Sequence, residues 1–200
     1  MALVTVIPGT FTTPGLPSLG VLGFSDTFDR ADAGTMGHTE GMPRQPWHVW
    51  GSTEAVSRIE GGEARFGRIS AGPCVAVADA KSADVTVEAT LGQIDGSQSG
   101  VAFRVAAVGD FWSLRQVGAE YRLYVLTANS ATLAASSATV TPAPGDVLRV
   151  ITSGPSIECA VNGTTVISHS ATEHADATYC GFYTSAYAEN CSFRDIKVTA

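Results

Sequence analysis

The sequence has 200 residues, of which 44% are hydrophobic and 16% are charged, and its formal net charge is −7. This length and hydrophobic content predict one globular domain with a full core, because enough apolar surface exists to offset the entropy lost on folding. A protein that follows a phosphate backbone needs clustered Lys and Arg, whereas the 12 such residues here are spread along an acidic chain. We therefore expect no nucleic-acid partner.

Residues 1–22 form an apolar segment without a charged side chain. Pro8, Pro14 and Pro17 interrupt this segment, and proline at such density is incompatible with a helix or a central strand. An apolar segment is a poor flexible tail in water, so we expect an extended arm that lies against its own domain or against a neighbouring subunit. We favour the neighbour, which predicts a homo-oligomer, and we assign the remaining residues, 23–200, to one domain.

The sequence shows neither a secretory leader nor the run of about 20 apolar residues that a membrane span requires. We therefore expect no membrane insertion and assembly in a cytoplasm. The four cysteines lack the CxxC spacing of zinc and redox sites, and in a reducing compartment we expect them to be buried free thiols. A Cys180–Cys191 bridge across a hairpin is the alternative.

From residue 53 onward, short runs rich in β-branched and aromatic residues alternate with turn signals. The dipeptides Gly61-Gly62, Gly118-Ala119 and Asn162-Gly163 each separate two such runs, which favours hairpins at these points. No window of helical period with capping residues stands out. Strands that recur about every 8 to 12 residues between glycine-rich turns predict an all-β fold, a two-sheet antiparallel jelly-roll sandwich.

Several blocks follow one another in a distinctive order. They are DTFDRADAGTMG at 26–37, a loop ending at Trp47, GGEARF at 61–66, SGVAFRVAAVGDFWSLRQV at 99–117, PGDVLRVITSGPSIECAVNGTTV at 144–166 and CGFYTSAYAENCSFRDIKV at 180–198. This order resembles the concanavalin A-like lectin/glucanase (LamG-like) jelly-roll domains that are common in minor tail proteins of actinobacteriophages. The resemblance covers roughly residues 24–200 and leaves the N-terminal segment outside.

The resemblance implies that the first block is the first strand and its turn. Phe24 and Phe28 then anchor the apolar face, while the charged side chains of the block, which are Asp26, Asp29, Arg30 and Asp32, organise the turn by hydrogen bonding. The alternative is a calcium site formed by Asp26, Asp29 and Asp32, because calcium prefers several oxygen ligands from one loop.

Catalytic patterns are absent from the sequence. Glycosidases need two carboxylates that flank the scissile bond, and the glucanases of this fold carry them in an E-x-D-x-x-E run, which does not occur here. His169 and His174, with Glu173 and Asp176 nearby, could form a metal cluster, but solvated loop residues are the simpler explanation. We therefore expect a non-enzymatic protein.

Carbohydrate binding requires aromatic faces beside polar groups. In DFWSLRQV the strand alternation places Phe111 and Trp112 on opposite faces, so one of them is expected to face outward. Trp47 matches the core tryptophan of the family, while His48 and Trp50 are further aromatic candidates beside it. The predicted ligand-binding residues are Trp112, Arg104, Arg115, Tyr183 and Tyr187.

Together these observations predict a virion protein of a tailed bacteriophage, either a minor tail protein or a surface decoration protein. The segment 1–22 would bind other virion proteins, and the lectin-like sandwich would be displayed outward, where it could bind host cell-surface polysaccharide. The alternative is a carbohydrate-binding module, or a glycan hydrolase or lyase, of a bacterial or phage enzyme.

Overall fold

The computed structural model describes residues 23–41, 43–51, 57–66, 74–94, 98–185 and 191–200. The predicted arm at 1–22 lies outside these ranges, so the boundary between arm and domain stays a prediction. Within the described residues the fold consists of β-strands without a helix, and therefore none of them forms a helix that could span a membrane.

The described residues form fifteen strands. In chain order they are β1 (Gly23–Asp26), β2 (His48–Trp50), β3 (Ser57–Glu60), β4 (Glu63–Phe66), β5 (Cys74–Asp79), β6 (Thr86–Leu91), β7 (Ser99–Ala107), β8 (Asp110–Val117), β9 (Glu120–Thr127), β10 (Ser130–Ser137), β11 (Val147–Ser153), β12 (Ser156–Val161), β13 (Thr164–Ser170), β14 (Tyr179–Thr184) and β15 (Ser192–Thr199).

These strands form two antiparallel sheets. The first sheet has the order β13-β12-β11-β6-β15-β4-β3, and β1 also pairs with β15. The second sheet has the order β10-β9-β8-β7-β14-β5-β2. The two sheets face each other as a sandwich, which confirms the predicted all-β jelly-roll class.

The predicted hairpins form where the turn dipeptides indicated them. Asn162 and Gly163, between β12 and β13, both have positive φ values, 51° and 79°, which a tight hairpin turn requires and which Asn and Gly tolerate. Gly61 and Gly62 join β3 to β4 in the same way. These local signals set the register of the pairs because a two-residue turn leaves the flanking strands one way to align.

The inner faces of the two sheets bury a continuous core. At its centre the ring of Phe182 in β14 stacks on that of Phe193 in β15, with centroids 4.1 Å apart. Trp47 stacks on the Phe182 ring at 5.5 Å, as expected for a core tryptophan. Stacked aromatic pairs contribute about 0.5–1.5 kcal/mol beyond the burial of their area, so this column is a strong contact between the two sheets.

All four cysteines are buried and none of them forms a disulfide, which confirms the prediction. The alternative Cys180–Cys191 bridge is therefore not formed. Burial raises the pKa of Cys74, Cys159 and Cys180 to about 12, so these thiols remain protonated at neutral pH.

Asp26 organises the first strand and its turn. Its buried carboxylate accepts hydrogen bonds from the Phe28 backbone N–H at 3.0 Å and from Trp47 Nε1 at 2.8 Å, and it forms a two-point ion pair with Arg30. Arg30 also donates to the carbonyl of Met36 at 2.8 Å. Phe28 has a φ of 55°, a strained value for a bulky residue, and the bond to Asp26 helps to hold it there.

The three aspartates of this block do not form the calcium site considered above. Asp26 is occupied by Arg30 and Trp47, Asp32 accepts a hydrogen bond from the Gly61 N–H at 2.8 Å, and Asp29 is exposed. No group of three or more His, Cys, Asp or Glu side chains in the described part of the chain is arranged to hold a metal ion. The hydrogen-bonding role of Asp26, Arg30 and Asp32 is the one that the structure supports.

We expect Asp26→Ala to lower the free energy of unfolding by about 3 kcal/mol, because it leaves the Trp47 indole N–H and the Phe28 N–H without their acceptor and removes the two-point ion pair with Arg30. The matched control is Asp29→Ala, three residues along the same turn, which should change stability by no more than about 0.5 kcal/mol. Urea unfolding followed by tryptophan fluorescence measures both. Equal effects of the two substitutions would contradict the assigned role.

Candidate functional site

The two outer faces of the sandwich differ in chemistry. On the first sheet, Arg149 of β11, Glu88 of β6 and Lys197 of β15 lie in one cross-strand row, and all three side chains are exposed. The described residues place no aromatic ring on this face. It is an ordinary charged, solvated surface.

The outer face of the second sheet is apolar and aromatic. Its buried floor is a cluster separate from the inter-sheet core, made of Val75, Val77, Ala102, Val105, Phe111, Leu126 and Tyr183. Three half-buried aromatic side chains pack against this floor, namely Trp50, Tyr124 and Tyr179. We call these ten residues, together with Arg115 and Gln98, the aromatic face.

Small residues make room for the rings at the centre of this face. Gly181 of β14 pairs with Ala102 of β7, so two neighbouring strands present almost no side chain there. A Cβ on Gly181 would lie 2.0 Å from the carbonyl oxygen of Ala76, so a larger residue would require the backbone to shift. The ring of Phe111 lies 5.9 Å from that of Tyr183, two strands away, across the space these small residues leave.

Arg115 of β8 lies between two tyrosine rings on this face. Its guanidinium carbon is 4.1 Å from the ring centre of Tyr124 and 4.0 Å from that of Tyr183. Its Nη1 donates to the Tyr183 hydroxyl at 2.6 Å and to the Gln98 side-chain oxygen at 3.0 Å, and its Nε donates to the Ser113 hydroxyl at 3.2 Å. Cation–π stacking on both sides fixes the plane of the guanidinium.

The charge of Arg115 has no carboxylate partner among the described residues. The residue is only 3% exposed, its Nη2 has no hydrogen-bond partner, and burial lowers the pKa of its guanidinium. Its direct cross-strand neighbour is another cation, Arg122, whose ion pair is with Glu120. A buried cation beside a like charge is unfavourable unless something compensates for it.

A second aromatic cluster lies across the sheet from Arg115. The ring of Tyr179 is 5.1 Å from that of Trp50 and 5.8 Å from that of His48, and all three residues are half-buried. A cavity of about 480 Å³ adjoins this cluster and is lined by Val105, Ala106, Thr172 and residues 174–179. Exposed rings beside an open cavity are the usual components of a small-ligand site.

The structure places two of the predicted ligand-binding residues on the aromatic face, and their role in binding stays a prediction. Arg115 and Tyr183, predicted from separate blocks, are in direct contact on the aromatic face. Tyr187 lies outside the described residues.

Trp112 is not on a surface, so its prediction as a ligand-binding residue is wrong. Phe111 and Trp112 do point to opposite faces, but Trp112 is 1% exposed in the inter-sheet core, where its Nε1 donates to the carbonyl of Glu173 at 2.9 Å. Phe111 takes the outward position and is itself buried by its neighbours on the aromatic face. Both faces of this central strand are covered, so alternation alone could not identify an exposed ring.

Arg104 is also misplaced by the sequence prediction. A register shift after Phe103 and a φ of 48° at Arg104 mark a β-bulge, which turns its side chain toward the first sheet. There Nη2 donates to the carbonyl of Gly154 and lies 3.6 Å from a carboxylate oxygen of Asp84. Arg104 therefore bridges the two sheets and does not line the aromatic face.

The sequence analysis missed Tyr124, Tyr179 and Gln98. In EYRLYV the alternation separates Tyr121 from Tyr124, but nothing in the run indicates which of the two faces outward. Tyr121 proves to be the core residue, and its hydroxyl donates to the buried Asp146 at 2.6 Å. Which of the two tyrosines faces outward depends on the pairing between strands that are distant in sequence, and a single sequence does not contain that pairing.

His169 and His174 do not form a metal cluster with the acids near them. The ring of His169 packs 5.6 Å from that of Trp112, and Nε2 of His174 is 2.8 Å from the carbonyl oxygen of Leu126. Both histidines help to close one end of the sandwich.

No family model matches the sequence, and no curated protein matches it either. Solved structures do match its fold. A carbohydrate-binding module of Bacillus subtilis, CBM66, is 12% identical with a TM-score of 0.50, and the match covers 78% of this chain and 92% of that one. A structure from a study of endo-acting O-glycanases of the human gut microbiota, which initiate mucin breakdown, is 11% identical with a TM-score of 0.60, covering 90% and 99%.

A third match is LamAcat from Zobellia galactanivorans, 10% identical with a TM-score of 0.53, covering 90% of this chain and 98% of that one. At these identities the similarities establish the lectin-like sandwich fold that this chain shares with carbohydrate-binding and glycan-acting domains.

We expect Trp112→Ala to destabilise the protein by about 3–5 kcal/mol, because it opens a cavity in the core and leaves the carbonyl of Glu173 without its donor. The matched control is Trp50→Ala, which removes a half-exposed indole and should cost less than half as much. Thermal unfolding monitored by circular dichroism compares the two. A stable Trp112→Ala variant would contradict the buried position.

Proposed function

We propose that this domain binds carbohydrate through the aromatic face and does so without catalysis. The observation that carries the proposal is the set of half-exposed rings of Trp50, Tyr124 and Tyr179 on a sheet whose floor is already packed. The apolar side of a sugar ring packs against aromatic faces, while its hydroxyls need polar partners at the rim. His48 and Gln98 supply such partners here.

The rigidity of the floor supports the proposal. Rings on a sheet with both faces packed lose little conformational freedom when a ligand binds, so more of the contact energy is retained as affinity. The charged face of the first sheet offers nothing comparable. The fold neighbours, which include a carbohydrate-binding module, add support at the level of the fold.

The spacing of the acids that the strands place on this face favours binding over hydrolysis. Strand alternation places Asp79 of β5 and Glu120 of β9 on it, and each is already engaged, with Lys81 and with Arg122. Four strand spacings separate β5 from β9, which corresponds to about 19 Å. Glycosidase carboxylates are about 5 to 9.5 Å apart, so these two acids are too distant to act on one bond.

We further propose that the domain is displayed on a virion, as a minor tail or decoration protein. Two features of the sequence support this proposal, namely the order of the blocks over residues 24–200 and the uncharged apolar segment at 1–22. The proline residues of that segment lower the entropy cost of binding to a partner in an extended form.

We expect Trp50→Ala and Tyr179→Ala each to weaken glycan binding about five- to tenfold, since one stacked ring contributes about 1–1.5 kcal/mol. Lys197→Ala, on the charged face, is the control and should bind as the wild type does. Isothermal titration against cell-wall and capsular polysaccharides measures binding, and a reducing-end assay on the same mixtures measures turnover. Released product would overturn the non-enzymatic assignment, and equal binding by all variants would exclude this face.

We expect deletion of residues 1–22 to give a folded domain that no longer assembles with its partners. Size-exclusion chromatography with light scattering compares the deletion with the full chain, and binding of a polysaccharide ligand reports that the domain is intact. A deletion variant with the oligomeric state of the full chain would contradict the role assigned to this segment.

A further inference from the structure

We infer that the aromatic face recognises an anionic sugar, with a carboxylate or sulfate group held by Arg115 in the place that Gln98 now occupies. The inference rests on the proposed function, since it names the class of glycan that the same face would take. It follows from the charge of Arg115, from the geometry of its guanidinium edge and from the nature of Gln98.

The charge argument starts from the cost of burying a cation. A buried guanidinium loses its hydration, and a neighbouring carboxylate normally compensates for that loss. The groups that surround Arg115 are the tyrosines Tyr124 and Tyr183, the amide of Gln98 and the hydroxyl of Ser113, all of them neutral. The direct cross-strand neighbour of Arg115 is a second cation, Arg122, whose charge is paired with that of Glu120.

Arg104 is the other buried arginine among the residues that the structure describes, and its surroundings differ from those of Arg115. It is 1% exposed and also has unpartnered nitrogens, but a carboxylate oxygen of Asp84 lies 3.6 Å from its Nη2. Arg104 points between the sheets and serves to join them. Arg115 points to an outer face and lacks such a carboxylate, so the two buried cations have different surroundings.

The geometry of the guanidinium shows where an anion would bind. Nη1 and Nη2 form the two-donor edge that matches the two oxygens of a carboxylate or of a sulfate. Of these two nitrogens, Nη1 donates to the Gln98 oxygen and to the Tyr183 hydroxyl, while Nη2 has no acceptor. Nη1 is therefore bonded to two neutral acceptors, and Nη2 is bonded to none.

Gln98 is the group that an anion would displace. It is half-buried, it immediately precedes β7, and its side-chain oxygen is a neutral acceptor. A charge-assisted bond is about twice as strong as a neutral one, so an anionic oxygen exchanges favourably for the amide. The rings of Tyr124 and Tyr183 hold the guanidinium plane during this exchange, and a sugar ring attached to the anion would then contact the adjacent Tyr124.

The first test compares acidic polymers with their neutral counterparts on the wild-type protein. The probes are polygalacturonate, polysialic acid and hyaluronan, each with its carboxyl-reduced form, and dextran sulfate with dextran. At least one acidic polymer should bind about tenfold or more tightly than its neutral counterpart, and the difference should shrink as salt is raised. The two kinds of pair distinguish a carboxylate from a sulfate as the anion.

The second test places a carboxylate inside the protein. Gln98→Glu positions an acid next to Arg115, so it should raise the melting temperature and weaken binding of the acidic polymer about tenfold or more. Gln98→Ala removes the neutral acceptor without supplying a carboxylate, so it should weaken binding of the acidic polymer much less than Gln98→Glu does. Ser156→Glu, at an exposed position on the first sheet, changes the net charge by the same amount and should leave binding unchanged.

The outcomes separate this inference from the proposed function. If neutral glycans bind to the aromatic face and no acidic polymer binds better than its neutral form, the face is a glycan site and the inference is wrong. If Gln98→Glu binds the acidic polymer as tightly as the wild type, Arg115 is not the anion site and the inference is also wrong. Absence of binding to every polysaccharide would overturn both proposals.

Discussion

In the central strands of the second sheet, both faces are buried. Successive side chains of a strand point to opposite sides, so β5, β7, β8 and β14 contribute one set of residues to the inter-sheet core and another to the aromatic face. Most strands of a sandwich have one wet face, and their outward residues are free to vary. Here the outward residues must also pack against one another. Packing on both sides of the strands restricts the centre of the face to small residues and determines where the rings and Arg115 lie.

The local features of the fold could be predicted from the sequence, whereas the site could be predicted only in part. Turn dipeptides such as Asn162-Gly163 specify hairpins because backbone conformation at a turn depends on the residues within it. The surroundings of Arg115 depend on β9 and β14, which lie on either side of β8 and β7 in the sheet but come from different parts of the chain. Trp112 illustrates the limit, since alternation separated it correctly from Phe111 but could not indicate that both would be buried.

Arg104 was misplaced for a second physical reason. A β-bulge adds a residue to one strand and reverses the alternation beyond it, so period-two arguments fail from that point onward. In β7 the bulge is marked by the positive φ of Arg104, and the residue type gives no indication of it because arginine has no preference for such a φ. The Asp26 block shows the opposite situation, because its partners Phe28 and Arg30 are close in sequence and the predicted hydrogen-bonded turn formed as expected.

The packed floor of the aromatic face also determines how such a domain could change its specificity. A side chain larger than hydrogen at Gly181 would collide with the backbone of β5, and the buried valines beside it leave no free volume. Substitutions that change specificity without loss of the fold are therefore confined to the half-buried residues at the rim, chiefly Trp50, Tyr124, Tyr179 and Gln98. For protein engineering, this means that a combinatorial library at the rim positions would sample new specificities while the packed floor of the sheet stays unchanged.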